Sequence, residues 1–364
     1  MADSPEIELD GKIYDDWQKC SFNFSISDIA NSFALTTPDF TPDHGEDMAV
    51  KARFGDHELL TGWLEEVDNS TVPDQEGTRL SGRSKAGDLV DCSAIVPGGE
   101  YHNLSLLEAC AGLCKPFGIG VSALVDVGDR FDRIKIEQGE EVGQVIDRIC
   151  RERGLMAWSV GSGDIVLGRP GFARAQTDLR YRYTGSGQLR SDNNIIELSA
   201  KLTKANRHSK LIMRSQGQTR DDDFGIAAAQ SEAAAVDDAV RRYRPKVLTS
   251  DGAGSSDQLR QRVNWEMARR IGKSTAITYQ CEGWQQVPGG DIWRPGLLVA
   301  VEDQKNKIAE EMLIVSVGLT LDEDKGGYRT SLSVEPPAAW VPKPNFEKAD
   351  GDAQYAALRR AVRG

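Results

Sequence analysis

The sequence has few aromatic side chains, few histidines and no long apolar run, and each shortage excludes a class of function. Aromatic residues make up 7% of the 364 residues, and the only histidines are His44, His57, His102 and His208. Enzymes built on histidine chemistry therefore have few candidate residues here. Apolar runs such as Met312 to Val315 fall far short of the roughly 20 residues that span a bilayer. No membrane insertion is expected.

The charge balance is acidic. The chain carries 44 lysines and arginines against 56 acidic residues, a formal net charge of −12. A general nucleic-acid binder needs a basic face for phosphate contacts, so that class is excluded. Residues 1–10 are acidic and have neither the basic nor the apolar region of a secretory signal. We therefore expect a protein that is made and assembled in the cytoplasm.

The six cysteines form no C-x-x-C pair, so neither a disulfide framework nor a zinc site is predicted. Cys110 and Cys114 lie four residues apart on a predicted helix and could supply half of a metal site. No second pair of ligands completes it, which favours buried free thiols. We predict no metal site and no cofactor.

Catalytic signatures such as G-x-S-x-G and H-E-x-x-H are absent from the sequence. The carboxylate pairs Glu140-Glu141 and Glu310-Glu311 suit acid–base chemistry only if burial separates their pKa values. The first pair is predicted in the first turn of a helix, where acidic side chains stabilise the helix dipole. Asp221-Asp222-Asp223 is predicted to be a solvated helix start. No catalytic residue is predicted, although unassigned carboxylates leave a peptidoglycan hydrolase as an alternative.

Residues 1–87 are predicted to form a small antiparallel β-barrel or sandwich. Phe22, Phe24 and Ile26 alternate with polar residues, and residues 48–54 and 59–67 resemble two strands joined by a turn. Residues 88–177 are predicted to be an α+β module. Its first helix starts at the capping box Ser105 to Glu108.

Residues 178–340 are predicted to form a second small β-barrel. Strands are expected at 195–202, 210–215, 277–281, 297–302, 312–321 and 328–335, and a helical insertion over about 221–273 consists of helices at 221–244 and 259–271. The strand plan of residues 48–68 recurs at 297–322, which is a weak signal of an internal repeat. The predicted fold class is therefore mainly β with α+β insertions.

Seven tryptophans offer one further alternative, a carbohydrate-binding β module. Such a module needs aromatic rings exposed on one face, whereas burial in the core and at subunit contacts is the expected role. The tryptophans are Trp17, Trp63, Trp158, Trp265, Trp284, Trp293 and Trp340.

Three stretches together resemble the baseplate hub (tail hub) proteins of Mu-like contractile-tailed phages. The first is the junction Leu80 to Cys92, with its pattern G-x-R-x-x-x-D-L-V-D-C. The second is the helix at 104–118, followed by Ile136 to Glu140 and a second helix that ends near Gly154-Leu155. The third runs from Tyr279-x-Cys281-x-Gly283-Trp284 through Trp293-x-Pro295-Gly296 and residues 313–315 to the motif at 326–330.

The resemblance implies a non-enzymatic structural protein of the virion tail baseplate. Such hubs are homotrimers in which two similar barrels per subunit give a pseudo-sixfold ring. The implied partners are the central spike protein, the tail tube or a tube-initiator protein, baseplate wedge proteins, and the tape-measure protein and DNA that pass through the lumen. An acidic lumen would suit that passage. Neither a fused lytic domain nor a spike β-helix is expected.

The stretch 341–364 is predicted to be a polar tail that buries no core of its own. Tyr355, Leu358 and Val362 are nevertheless spaced three and four residues apart, and arginines follow near the end. We expect this tail to become helical only against a neighbouring baseplate protein.

Overall fold

A computed structural model gives the structure of the protein and describes residues 5–14, 17–37, 47–72, 75–215, 232–250, 256–322 and 327–343. The fold is mainly β, as the alternating patterns predict. The chain divides into two compact units, Met1–Leu198 with Thr278–Val334 and Ser199–Ile277 with Glu335–Gly364. Within the described ranges, no helix is long and apolar enough to cross a membrane.

The first unit contains the long strands and three short helices. Its early strands are β1 (Pro5–Leu9), β2 (Lys12–Tyr14), β3 (Lys19–Ser25), β4 (Ser32–Thr37), β5 (Ala49–Phe54), β6 (His57–Val72) and β7 (Gln75–Ser84). The middle elements are α1 (Gly87–Asp91), β8 (Glu100–Leu104), α2 (Leu106–Cys114), β9 (Val121–Ala123), β10 (Phe131–Lys135), α3 (Val142–Glu152), β11 (Met156–Ser159), β12 (Ile165–Gly168), β13 (Ala173–Arg174) and β14 (Leu179–Tyr181). The late strands are β20 (Leu297–Asp303), β21 (Ile308–Asp322) and β22 (Gly327–Glu335), and β15 (Ile195–Leu202) and β19 (Thr275–Glu282) cross the boundaries of the unit.

Most of these strands form one large sheet with the order β15-β19-β22-β21-β3-β4-β7-β6-β5-β1-β2. β20 pairs with β21 beside this path, and β13 and β14 pair with β20. Among the described strands the path ends at β15 and β2 and does not return on itself. The closed form of the two predicted barrels is therefore not confirmed.

The sheet contains the same five-strand arrangement twice. We call β3, β4, β5, β6 and β7 the first group, and β15, β19, β20, β21 and β22 the second group. In each group the first strand pairs with the second, the second with the fifth, the fifth with the fourth, and the fourth with the third. The weak repeat in the sequence is thus a duplication in topology.

Residues between the two groups contain the helices α1, α2 and α3 and the short strands β8 to β12. Ser105 caps α2, because its hydroxyl accepts from the backbone N–H of Glu108 at 3.2 Å while the Glu108 carboxylate accepts from the Ser105 N–H at 2.8 Å. One face of α2 and one face of α3 bury their apolar side chains in a common core, which includes Cys110, Cys114 and Cys150. The apolar spacing in the sequence predicts both helices.

In its described residues, the second unit contains a three-stranded sheet covered by one α-helix. Its elements are β16 (Lys210–Ser215), β17 (Glu232–Val236), β18 (Pro245–Ser250) and α4 (Ser256–Gly272). β16 lies in the centre, antiparallel to β17 and parallel to β18. Leu211 and Met213 of the sheet pack against Leu259, Val263 and Met267 of α4.

The helix predicted over residues 221–244 is wrong for its described part, because Glu232–Val236 form β17. Alanine favours a helix locally, but here Ala233 and Ala235 alternate toward the core beneath α4. Tertiary packing therefore overrides the local preference. The helix predicted at 259–271 is confirmed by α4. The predictions for Asp221-Asp222-Asp223 and for the tail at 344–364 fall outside the described residues.

Replacing Gly82 with alanine is expected to lower the free energy of unfolding by about 1–3 kcal/mol. A Cβ atom on Gly82 would lie 2.0 Å from the Trp63 carbonyl oxygen, and that backbone cannot move without disturbing the β6–β7 ladder. Gly77→Ala in the same strand is the matched control, because its nearest neighbour is the Thr37 carbonyl oxygen at 3.8 Å. Urea denaturation of both variants measures the difference. Equal stability would contradict the close approach of β6 and β7.

Candidate functional site

The candidate functional site is one face of the large sheet, which we call the polar sheet face. Along β3 it carries Ser21, Asn23 and Ser25, whereas Phe22 and Phe24 are buried on the opposite face. The same alternation continues along β4, along residues 77–84 of β7 and 315–322 of β21, and along residues 329–335 of β22. A strand with one apolar and one polar side produces this pattern, so the polar residues of neighbouring strands lie together.

Three rows of paired residues define this face across the strands. The first row is Thr320, Ser21, Ala34, Ser81 and Glu66; the second is Gly318, Asn23, Ser32 and Arg83; the third is Asp322, Lys19, Thr36, Arg79 and Asp68. Eight of the fourteen members are small and neutral and six are charged, and an open depression lies on this face between β3 and β6.

Two cations of the polar sheet face form ion pairs. Lys19 Nζ lies 3.7 Å from a carboxylate oxygen of Asp322, and the Arg83 guanidinium bonds the carboxylates of Glu65 and Asp91. The hydrogen bonds from Arg83 hold the pKa of Asp91 below its usual range. Lys19 and Arg83 are thus each engaged by at least one acid, which lowers the positive charge that this face offers to a polyanion.

The carboxylate pairs considered in the sequence are not arranged for acid–base catalysis. α3 begins at Val142, so Glu141 is the N-cap residue and Glu140 precedes the helix; the predicted first-turn position is wrong by one to two residues. Glu140 accepts from Arg148 at 2.9 Å, and this hydrogen bond lowers the pKa of Glu140. An acid that stays ionised is a poor proton donor. Arg174 forms an ion pair with Glu311.

The cysteines and tryptophans occupy structural positions. Burial raises the pKa values of Cys114 and Cys281 to about 12, and every cysteine except Cys92 is buried, as predicted for structural thiols. No group of three or more potential ligands is found among the described residues. Trp17, Trp158, Trp284 and Trp293 are buried, and Trp63, at 37%, is the most exposed tryptophan, so no aromatic platform forms.

Comparisons with known proteins match the chain in three segments. Residues 6–84 match the family model described as "Mu phage baseplate assembly protein GpP-like, N-terminal". Residues 86–169 match the second domain of baseplate hub protein gp44-like proteins, and residues 255–343 match the fourth domain of Mu phage baseplate assembly protein GpP. All three models describe baseplate proteins.

Individual relatives match along nearly the whole chain. The baseplate hub protein gp44 of Escherichia phage Mu is 26% identical over 351 residues, covering 92% of this chain and 88% of that protein. The 43 kDa tail protein of prophage MuSo2 from Shewanella oneidensis is 28% identical, with a TM-score of 0.78 over 93% of this chain and 99% of the other. A tail protein from Neisseria meningitidis MC58, 21% identical over 94% of this chain and 99% of that chain, shares the fold with a TM-score of 0.75.

The fold and the nearly whole-length matches therefore show that the chain is similar to one class of proteins, those of phage tails. Within that class it is a relative of the baseplate hub proteins of Mu-like phages, which confirms the resemblance that the motifs indicate. The domain boundaries at 87, 177 and 340 stay a prediction.

Proposed function

We propose that the protein is a structural baseplate hub, a ring of three copies that joins the tail tube to the central spike. The observation that carries this proposal is the duplicated five-strand group. Two similar groups per copy would present six similar surfaces from three copies, which suits a junction between a sixfold tube and a threefold spike. The two groups would be the two barrels of the ring, and the protein would have no enzymatic activity.

The polar sheet face suits the lining of a central channel. Its small neutral side chains and paired charges offer few contacts to DNA or to a tape-measure protein that must slide past. Counterion release drives DNA binding only where free cations meet phosphates, and two cations of this face, Lys19 and Arg83, are engaged by acids. On this proposal, the ring lies in the virion tail, with baseplate wedge proteins on its outer side.

A stop codon early in the gene tests this function in the phage or prophage genome that carries it. We expect electron microscopy to find no complete tails, and we expect a plasmid copy of the intact gene to restore them. The purified protein should release no soluble fragments from cell walls. Complete, infectious tails assembled without the protein would overturn the hub proposal, and wall hydrolysis by the purified chain would favour the hydrolase.

A further inference from the structure

The two five-strand groups are joined within the chain by one strand pairing, which we call the internal joint. The first half of β21 pairs with β20 of its own group, and its second half pairs with β3, the first strand of the other group. The register runs from Ser316 opposite Ser25 to Asp322 opposite Lys19. The joint therefore links the fourth strand of one group to the first strand of the other.

The duplication predicts a second joint of the same kind, between β6 of the first group and β15 of the second group. In the described part of the chain these two strands do not pair with each other. β6 is the fourth strand of the first group, and its second half, residues 66–72, pairs with β7 on one side. On its other side, the backbone hydrogen bonds to β5 and to the residues just before it end at Leu64. The N–H of Leu64 donates to the Met48 carbonyl oxygen. β15 is the first strand of the second group, and no described strand pairs with its outer edge.

The burial of side chains differs between the used and the unused edges. On β3, which is engaged in the internal joint, Phe22 and Phe24 are 0% and 2% exposed. On β15, the corresponding strand, Ile196 and Leu202 are 42% and 55% exposed. An open edge strand with exposed apolar side chains is a ready template for pairing with another chain. The edge has the properties of a surface that becomes covered on assembly.

We infer that β15 of one copy pairs antiparallel with residues 66–72 of β6 in a second copy, repeating the internal joint between subunits. This inference rests on the proposed ring and names the surfaces that build it. Lys201 of β15 would approach the acidic pair Glu66 and Asp68 of β6, as Lys19 approaches Asp322 in the internal joint. Because the two surfaces differ, the contact is head-to-tail, and repetition closes a ring.

Cysteine cross-linking tests the inferred joint in the full chain. In a Cys92→Ser background, which removes the exposed native thiol, Asp68→Cys is combined in turn with Glu197→Cys, Ser199→Cys and Lys201→Cys. These three β15 residues alternate onto one face, so one of them should fall opposite residue 68. We expect that double variant to form covalent trimers under mild oxidation, and the two single variants, when mixed, to form only dimers.

The controls separate this joint from other modes of association. Asp68→Cys combined with Ile95→Cys places a thiol at a 92% exposed loop position and should yield no trimer. If two copies of the Asp68→Cys single variant formed a disulfide with each other, the contact would be symmetric. That result would contradict the head-to-tail joint. A protein that is trimeric by light scattering but cross-links in none of the three combinations would overturn the joint and leave the hub proposal standing. A monomer without cross-links would contradict both.

A charged substitution gives a second readout that needs no thiol chemistry. Ile196→Glu should convert the trimer into monomers by light scattering, while far-ultraviolet circular dichroism stays unchanged, because the side chain is already 42% exposed in one copy. Ile95→Glu is the matched control and should remain trimeric. If Ile196→Glu formed trimers with the same association affinity as the wild type, that result would overturn the proposal.

Discussion

Trp284→Ala is expected to lower the free energy of unfolding by about 3–5 kcal/mol. The indole is 1% exposed and contacts aromatic rings from both five-strand groups: the ring centroids of Phe22, Phe54 and Tyr328 lie 6.0, 4.9 and 5.0 Å away. Its Nε1 also donates to the Thr320 carbonyl oxygen at 3.0 Å. Truncation would leave a large cavity and an unsatisfied carbonyl in the centre of the sheet.

Urea denaturation followed by circular dichroism measures this loss. Trp63→Ala is the matched control, because Trp63 is 37% exposed and should cost less than half as much. If both variants lost the same stability, the indole of Trp284 would not be the aromatic centre that connects the two groups.

Asp237→Ala is expected to destabilise the second unit by about 3–5 kcal/mol, because it leaves the Arg207 guanidinium buried without its acid. Two of the three Arg207 guanidinium nitrogens, Nε and Nη2, donate to the Asp237 carboxylate at 2.7 Å, and the Ala239 N–H donates a third hydrogen bond to it at 3.1 Å. The side chains are 14% and 4% exposed. Asp238→Ala is the control, since the adjacent residue is exposed and should change little.

The same pair predicts how stability depends on pH. The hydrogen bonds from Arg207 hold the pKa of Asp237 below its ordinary value. The folded state therefore binds this proton less readily than the unfolded chain, whose aspartate titrates near pH 4. The contribution of the pair should be complete above about pH 5 and should diminish as the pH falls from about 4 toward the lowered pKa. Denaturation of the wild type and of Asp237→Ala at pH 7 and pH 3.5 should show the gap narrowing, and a constant gap would contradict this assignment.

The sequence predicts the strands that have one buried face and one polar face, because the alternation of apolar and polar residues is a local pattern. β15 and β16 are predicted with their observed bounds, and the hairpin strands β20 and β21 are found close to their predicted bounds. β4 escapes prediction although it alternates, since its Ser, Ala and Thr residues carry little hydrophobic contrast.

The polar sheet face could not be assembled from the sequence. Its rows depend on the pairing of residues 19–25 with 316–322, and no local pattern specifies a register over that separation. Asn23 and Ser25 are visible as polar positions, but nothing in the sequence places Thr320 beside Ser21. The duplicated topology is hidden for the same reason, because the inserted α+β module and the second unit separate the matching strands.

The molar mass of the purified full chain in solution tests the ring most directly. Light scattering at micromolar concentration should give about three times 39.9 kDa, and the value should hold on dilution while the covalent trimer of the cross-linked variant elutes at the same volume. A stable monomer near 39.9 kDa over the same concentration range would contradict the account of a hub built from two five-strand groups per copy.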